Sequence, residues 1–129
     1  MDLKVGRKGR AQTTVSTLNT AKTMGSGQLE VFATPAMIAL MEQAAVNALE
    51  LPEGQSSVGT SLSIKHNAAT PLGVNVFAIA ELVEIDRRKL VFTVEAFDDA
   101  GQIGVGKHER FVIDADSFIA KAQARNQGM

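Results

Sequence analysis

Residues 34–49 are apolar on every side, a pattern that predicts a buried helix rather than an amphipathic one. The stretch begins at Thr34, whose hydroxyl can accept a hydrogen bond from a free N–H of the first turn, as an N-cap does. Pro35 then suits the first helical position, where its missing N–H costs nothing. The only ionisable residue in the stretch is Glu42. Because burying an unpaired carboxylate costs several kcal/mol, Glu42 must face a partner, a water-filled cleft or an interface.

Five other segments show the alternating or continuously apolar pattern of β-strands. The predicted strands are residues 11–18, 57–67, 74–85, 90–97 and 102–113. Residues 19–30 are predicted to form a loop, because they contain glycines and polar residues without periodicity. Asp114 or Asp116 is expected to cap a short C-terminal helix that runs to about Arg125.

The strand predicted over residues 57–67 brings a histidine towards the helix. Strict alternation puts one set of side chains on the face that covers the helix: Val58, Thr60, Leu62, Ile64 and His66. Glu42 and His66 are therefore predicted to point into the same layer. Gly59 falls on the opposite face, where a glycine indicates a bulge or a close helix–strand contact.

The order of these elements predicts an α+β fold of the hotdog type. Short turns make the four later strands antiparallel neighbours, so a sheet of about five strands can wrap around the long helix. The length fits a single domain over residues 1–129, with a basic, solvated segment at 1–10 and a frayed tail at 126–129. Such a sheet has edges, and we expect edge-to-edge pairing in a homodimer to cover them.

Composition excludes several classes of function. The net charge of -1 gives no reason to expect nucleic acid or an anionic membrane as a partner. The absence of Cys excludes disulfides, thiol nucleophiles and Cys-ligated metals. The two histidines, His66 and His108, lie on different predicted strands without nearby pairs of acids, so we expect no metal site. No apolar run resembles a signal peptide or is long enough to cross a bilayer, which makes the cytoplasm the default location.

Four groups of residues, in the order given, carry a family pattern. They are Val31-Phe-Ala-Thr34-Pro with Met41-Glu42, Val58-Gly59-Thr60 with Lys65-His66-Asn-Ala-Ala-Thr70-Pro71, Ala80-Glu-Leu-Val-Glu, and Gly106-Lys-His108-Glu-Arg110-Phe-Val-Ile-Asp114. Together they resemble the fluoroacetyl-CoA thioesterase-like family of single-domain hotdog proteins, over roughly residues 10–120. The resemblance implies a homodimeric acyl-CoA thioesterase whose active sites lie near the subunit interface. It also implies that coenzyme A takes part only as a portion of the substrate, without a separate cofactor.

The resemblance also implies the site residues. Thr34, Glu42 and His66 match the family's catalytic threonine, glutamate and histidine, and Gly59 matches the glycine whose N–H binds the oxyanion. Residues 19–30 depart from the pattern, because the fluoroacetate-specific members carry phenylalanines there and this chain has no aromatic residue in the segment. We therefore expect a thioesterase for another short acyl group.

Several alternatives stay open at this point. His66 would act as a general base oriented by Glu42, while the nucleophile is the Thr34 hydroxyl, a water held by Thr34, or Glu42 itself. Taken alone, Thr34 is fully explained as an N-cap, and His66 fits a hydrogen-bonded core histidine.

The outer strands offer further candidates for binding the substrate. Thr60 lies beside Gly59 and is assigned to the same role. His108 and Arg110 lie on one strand face with Gly104 and Gly106, where they either line a groove for pantetheine or phosphate or belong to a solvated face. Pattern alone favours the solvated face.

Two rival functions were weighed against hydrolysis. A hotdog hydratase or dehydratase needs a histidine close to the acid of the helix, and residues 34–50 contain none. A non-catalytic module that binds acyl-CoA or another acyl ligand would keep the groove but make Thr34 and His66 dispensable.

Overall fold

The computed structural model describes residues 3–128, in which five strands and one long helix form the predicted architecture. The elements are β1 (Lys8–Thr14), α1 (Ala21–Met24), α2 (Thr34–Asn47), β2 (Gln55–His66), β3 (Asn75–Asp86), β4 (Lys89–Asp98), β5 (Gly101–Asp114) and α3 (Ala115–Gln127). The strands form one antiparallel sheet that curls around α2, which confirms the predicted α+β hotdog fold.

The strand order in the sheet is β1-β3-β4-β5-β2. β3, β4 and β5 are joined by tight turns and pair in sequence, as predicted. β2 does not pair with β3, so the expectation that all four later strands are successive neighbours was wrong. Residues 67–74 form a longer connection that crosses from one edge of the sheet towards the other, and a tight hairpin turn cannot do this. As a result, β1 and β2 are the two edge strands.

Helix α2 is buried on one side only. Its inward side chains are fully or nearly fully buried: Met37, Leu40, Met41, Ala44 and Ala45. Ala39, Gln43 and Val46 are exposed on the opposite side. The prediction of a helix buried all round was wrong for the single chain, because one sheet can cover only one side of a helix.

Two glycines set the distance between α2 and the sheet. At Gly9 in β1, a Cβ atom would collide with backbone atoms of Ala44 and Ala48 in the helix. At Gly104 in β5, a Cβ atom would lie 2.5 Å from the sulfur of Met37. The helix therefore lies almost directly on the backbone of these strands, as glycine permits.

The start of α2 differs from the prediction by one residue. Ala33 occupies the N-cap position with an extended backbone, so Thr34 is the first helical residue and Pro35 the second. The Thr34 hydroxyl does not cap the helix but contacts His66. Proline remains within the first turn, where its missing N–H is tolerated.

A β-bulge changes the predicted faces of β2. The register against β5 shifts between Gly59 and Ser61, which leaves Thr60 as the extra residue. Gly59 therefore pairs with Arg110, and Leu62 with His108, on the same side of the sheet. The assignment of Gly59 to the outer face was wrong because strict alternation fails at a bulge.

Because of the same bulge, the predicted faces of two other side chains in β2 were also wrong. Val58 pairs with Phe111, which is exposed on the outer face, so Val58 does not cover the helix. Thr60 donates its hydroxyl to the backbone oxygen of Glu109 and is exposed. Neither side chain lies in the layer predicted from alternation.

The chain ends are more regular than predicted, although Lys4, Lys8 and Arg10 of the basic segment are exposed as expected. β1 begins at Lys8, three residues before the predicted strand, and Arg7 Nε donates to the Ala48 oxygen at the C-terminus of α2. α3 continues to Gln127 and begins after Asp114, so residues 126 and 127 are helical rather than frayed. Residues 1, 2 and 129, which belong to those predicted segments, lie outside the described residues. Within residues 3–128, no helix is both long and apolar enough to cross a membrane.

Candidate active site

Thr34 and His66 meet where the first turn of α2 approaches the end of β2. The Thr34 Oγ1 and His66 Nδ1 atoms are 2.8 Å apart, a hydrogen-bonding distance. Both residues line a pocket of about 250 Å³. The rest of its lining is mostly small: Ala21, Ser26, Val31, Phe32, Asn67, Ala68 and Ala69. A hydroxyl and an imidazole in direct contact at a pocket are the elements of base-assisted attack on a carbonyl.

The surroundings of His66 favour its neutral form. Burial lowers the pKa of the imidazole below 6.5, and the backbone of Ala68 opposes this shift in part. A neutral imidazole can accept a proton near pH 7, as a general base must. The Nε2 atom is buried and has no hydrogen-bond partner in the part of the chain that the structure describes.

Glu42 lies in a second cluster further along α2. Its Oε2 atom is 3.3 Å from Nη1 of Arg110 and 4.0 Å from Nε2 of His108. Arg110 and His108 are 6% and 1% exposed, so the expectation of a solvated strand face was wrong. β5 turns this face towards α2, and Gly104 on the same face allows the close approach of Met37.

Gly59 is part of the second cluster, because the absence of a side chain leaves room for Glu42. A Cβ atom at this position would lie 2.6 Å from Glu42 Oε2 and 3.2 Å from His108 Cε1. The Glu42 carboxylate therefore lies directly against the backbone of β2. Thr60 is not in this cluster, because the bulge turns it away.

Within one chain, the predicted catalytic residues fall into two groups. Thr34 contacts His66, whereas Glu42 contacts Arg110 and His108. Eight residues of α-helix separate Thr34 from Glu42, a rise of about 12 Å. Glu42 and His66 both lie on the helix side of the sheet, as predicted. They do not contact each other within one chain.

Sequence reasoning did not assign a role to Ser57, which holds Arg110 in place. Arg110 Nε donates to Ser57 Oγ at 2.8 Å, and Nη2 donates to the Ser57 oxygen at 2.9 Å. No periodic signal pointed to Ser57, because its contact with Arg110 depends on the pairing of β2 with β5. No group of three or more His, Asp and Glu side chains in residues 3–128 could hold a metal ion.

The curled sheet around one helix defines the class as a hotdog fold, and comparisons with known proteins place it among the thioester hydrolases. Residues 15–116 match the family described as fluoroacetyl-CoA-specific thioesterase, and the chain belongs to this family. It is accordingly an acyl-CoA thioesterase.

Individual relatives agree with this assignment. The fluoroacetyl-CoA thioesterase of Streptantibioticus cattleyicolor is 44% identical over 98 residues, which are 74% of this chain and 70% of that protein. A crystal structure of a mutant of the fluoroacetyl-CoA-specific thioesterase FlK has a TM-score of 0.90 at 35% identity and covers 97% of this chain and 98% of that chain. A hot-dog-like protein from Thermanaerovibrio acidaminovorans has a TM-score of 0.86 at 30% identity, over 95% of this chain and 93% of its own.

Proposed function

We propose that this protein hydrolyses the thioester of a small acyl-CoA, with His66 as the general base. The observation that carries the proposal is the 2.8 Å contact between Thr34 Oγ1 and His66 Nδ1 at a pocket. His66 takes a proton either from the Thr34 hydroxyl, which then attacks the carbonyl carbon, or from a water that Thr34 holds. The proton is then passed to the departing thiolate of coenzyme A. In the first route, a water that His66 activates then cleaves the acyl–Thr34 ester, which releases the acid and restores the hydroxyl. Base catalysis of this kind contributes roughly 10²–10⁴-fold to the rate.

The other nitrogen of His66 supports a role for Glu42 from a second subunit. When Nδ1 accepts the Thr34 proton, Nε2 carries a hydrogen, and a buried donor without an acceptor costs about 1–3 kcal/mol. Glu42 of the same chain is held by Arg110 some two helical turns away. We therefore propose that Glu42 of the partner subunit accepts this hydrogen bond in a homodimer and stabilises the imidazolium.

The position of β2 supports such a dimer. β2 is an edge strand of twelve residues, and a long unpaired edge readily pairs with another strand. In an antiparallel pair of two β2 strands around a twofold axis, the end of one strand lies beside the start of the other. In a register that places His66 opposite the partner's Gly59, the Gly59 N–H would stabilise the oxyanion by about 2.7–4 kcal/mol.

The proposed substrate carries a small acyl group. Structures of FlK variants contain fluoroacetate or acetyl-CoA, and the pocket beside Thr34 here is of modest volume. The segment 19–30 lacks the aromatic residues that the family's fluoroacetate-specific members carry, so small acyl-CoAs other than fluoroacetyl-CoA are the favoured substrates. Coenzyme A would enter only with the substrate, without another cofactor, and the reaction would take place in the cytoplasm.

The proposal is tested by thiol release from acyl-CoAs from acetyl to octanoyl, together with fluoroacetyl and phenylacetyl. The chain has no Cys, so a disulfide reagent detects only the coenzyme A that is released. We expect turnover of a short acyl-CoA, with kcat lowered roughly 10²-fold or more by His66→Ala, Thr34→Ala and Glu42→Gln. Gln43→Ala, at the exposed neighbour of Glu42, is the matched control. Wild-type rates in the His66→Ala variant would overturn the proposal.

A further inference from the structure

His108 and Arg110 form a hydrogen-bonded group that holds Glu42 against β2. Arg110 Nη1 lies 3.1 Å from His108 Nε2 and 3.3 Å from Glu42 Oε2. The other two nitrogens of the guanidinium also donate to Ser57, Nε to its hydroxyl and Nη2 to its backbone oxygen. These hydrogen bonds hold the planar guanidinium on three sides. Its orientation determines which edge faces Glu42.

The donors and acceptors determine the state of His108. A guanidinium can only donate, so His108 Nε2 must accept and cannot carry a hydrogen. His108 Nδ1 lies 2.9 Å from the backbone oxygen of Ser61, which can only accept, so Nδ1 carries the hydrogen. His108 is therefore the neutral imidazole with its hydrogen on Nδ1.

The groups around His108 are consistent with this state. Burial lowers the pKa of His108 below 6.5, and the charge of Arg110 lowers it further. The hydrogen bond to Ser61 and the charges of Glu42 and Glu109 act in the opposite direction, without reversing the shift. From β4, the uncharged ring of Phe92 covers the imidazole with the ring centroids 6.2 Å apart.

We infer that His108 is a positioning residue that, as a neutral Nδ1–H imidazole, orients Arg110 and through it the Glu42 carboxylate. The inference rests on the proposed function, in which Glu42 serves the partner subunit's His66. Glu42 is suited to this use because its side chain is still 40% exposed, whereas the side chains of Arg110 and His108 are buried beneath it. His108 itself transfers no proton in the reaction.

Two amide substitutions distinguish the role of Nδ1 of His108 from the role of Nε2. In His108→Gln, the amide oxygen can replace Nε2 as the acceptor for Arg110. In His108→Asn, the shorter amide can donate to Ser61 in place of Nδ1 but leaves Arg110 without that acceptor. We expect kcat to fall about 10- to 100-fold in His108→Asn with KM changed less than about twofold, and His108→Gln to recover most of the loss.

A control variant and a folding measurement make this comparison specific. Lys107→Ala lies on the exposed face of the same strand and should keep wild-type kcat. Thermal unfolding of both His108 variants shows whether the loss of turnover exceeds any loss of folded protein. A wild-type kcat in folded His108→Asn would overturn the inference, as would an equal loss in both amide variants.

Nitrogen-15 NMR of the two labelled histidines tests the arrangement without turnover. We expect His108, assigned by its absence in His108→Gln, to show hydrogen on Nδ1 and to titrate at a lower pH than an ordinary imidazole. A hydrogen on Nε2, or titration at the ordinary pKa, would overturn the inference. If the wild-type protein hydrolysed no acyl-CoA, the proposed function would fail, while the NMR result would still decide the state of His108.

Discussion

The two histidines of this chain differ in how their ring nitrogens are used, although burial lowers the pKa of both. His66 Nδ1 lies within hydrogen-bonding distance of the Thr34 hydroxyl, and its Nε2 has no partner in residues 3–128. His108 uses both nitrogens within the chain, one towards Ser61 and one towards Arg110. Within residues 3–128, His66 therefore has a ring nitrogen without a partner, whereas His108 does not.

The pKa of His66 provides a prediction about Glu42. Burial lowers this pKa in the single chain, because the charged imidazolium is disfavoured away from water. A carboxylate of the partner subunit at Nε2 would favour the imidazolium and raise the pKa again. Glu42→Gln should therefore lower the pKa of His66 relative to the wild-type protein, so that the neutral base persists to lower pH.

Histidine NMR titration of wild-type protein, Glu42→Gln and the control Gln43→Ala measures this shift directly. Far-ultraviolet circular dichroism at each pH shows that the fold is retained. The same pKa of His66 in wild-type protein and Glu42→Gln would mean that no Glu42 carboxylate faces the imidazole.

At the scale of single residues, the sequence predicted which residues belong to the candidate site better than it predicted their contacts. Thr34 and His66 were predicted as site residues and do meet, but Thr34 was expected to cap the helix. A hydroxyl at a helix start can serve either purpose, and only the position of the end of β2 decides between them. Arg110 was predicted as solvated because alternation within one strand cannot show which face another element covers.

At the scale of elements, the contact between α2 and β1 depends on the absence of a side chain at Gly9. A Cβ atom there would meet the helix backbone at Ala44 and Ala48, which cannot rotate away as a side chain could. Gly9→Ala should therefore lower the free energy of unfolding by about 1–3 kcal/mol.

Urea unfolding of Gly9→Ala measures this loss, with Gln12→Ala as the control on the exposed face of the same strand. The control should change the free energy of unfolding by less than about 0.5 kcal/mol. If Gly9→Ala is as stable as the control, the close docking of α2 on β1 is wrong.

The elements themselves were predicted well, and their arrangement less so. Hydrophobic periodicity located all five strands and the long helix to within a few residues. It did not reveal the bulge at Thr60, because a bulge is a mismatch between two strands and leaves no periodic signal in one of them. It also did not place β2 at the edge, since the path of residues 67–74 depends on contacts across the whole sheet.

At the scale of the whole molecule, one chain carries two incomplete groups of functional side chains. Thr34 and His66 lie at the start of α2, while Glu42, Gly59 and Arg110 lie about two helical turns away. The unpaired edge of β2 is the surface that a second copy would cover in the proposed dimer. No sequence pattern contains the symmetry of a dimer, so the composite site could not have been predicted from periodicity alone.

The most direct test of a composite site is to combine two inactive variants. His66→Ala and Glu42→Gln are co-expressed with different affinity tags, and the mixed dimer is isolated by two purification steps. If each site takes His66 from one subunit and Glu42 from the other, one of the two sites in the mixed dimer is intact. Acyl-CoA hydrolysis should then recover to about half of the wild-type rate per dimer. A mixed dimer as inactive as its parent variants would show that the two residues do not act across the subunit interface.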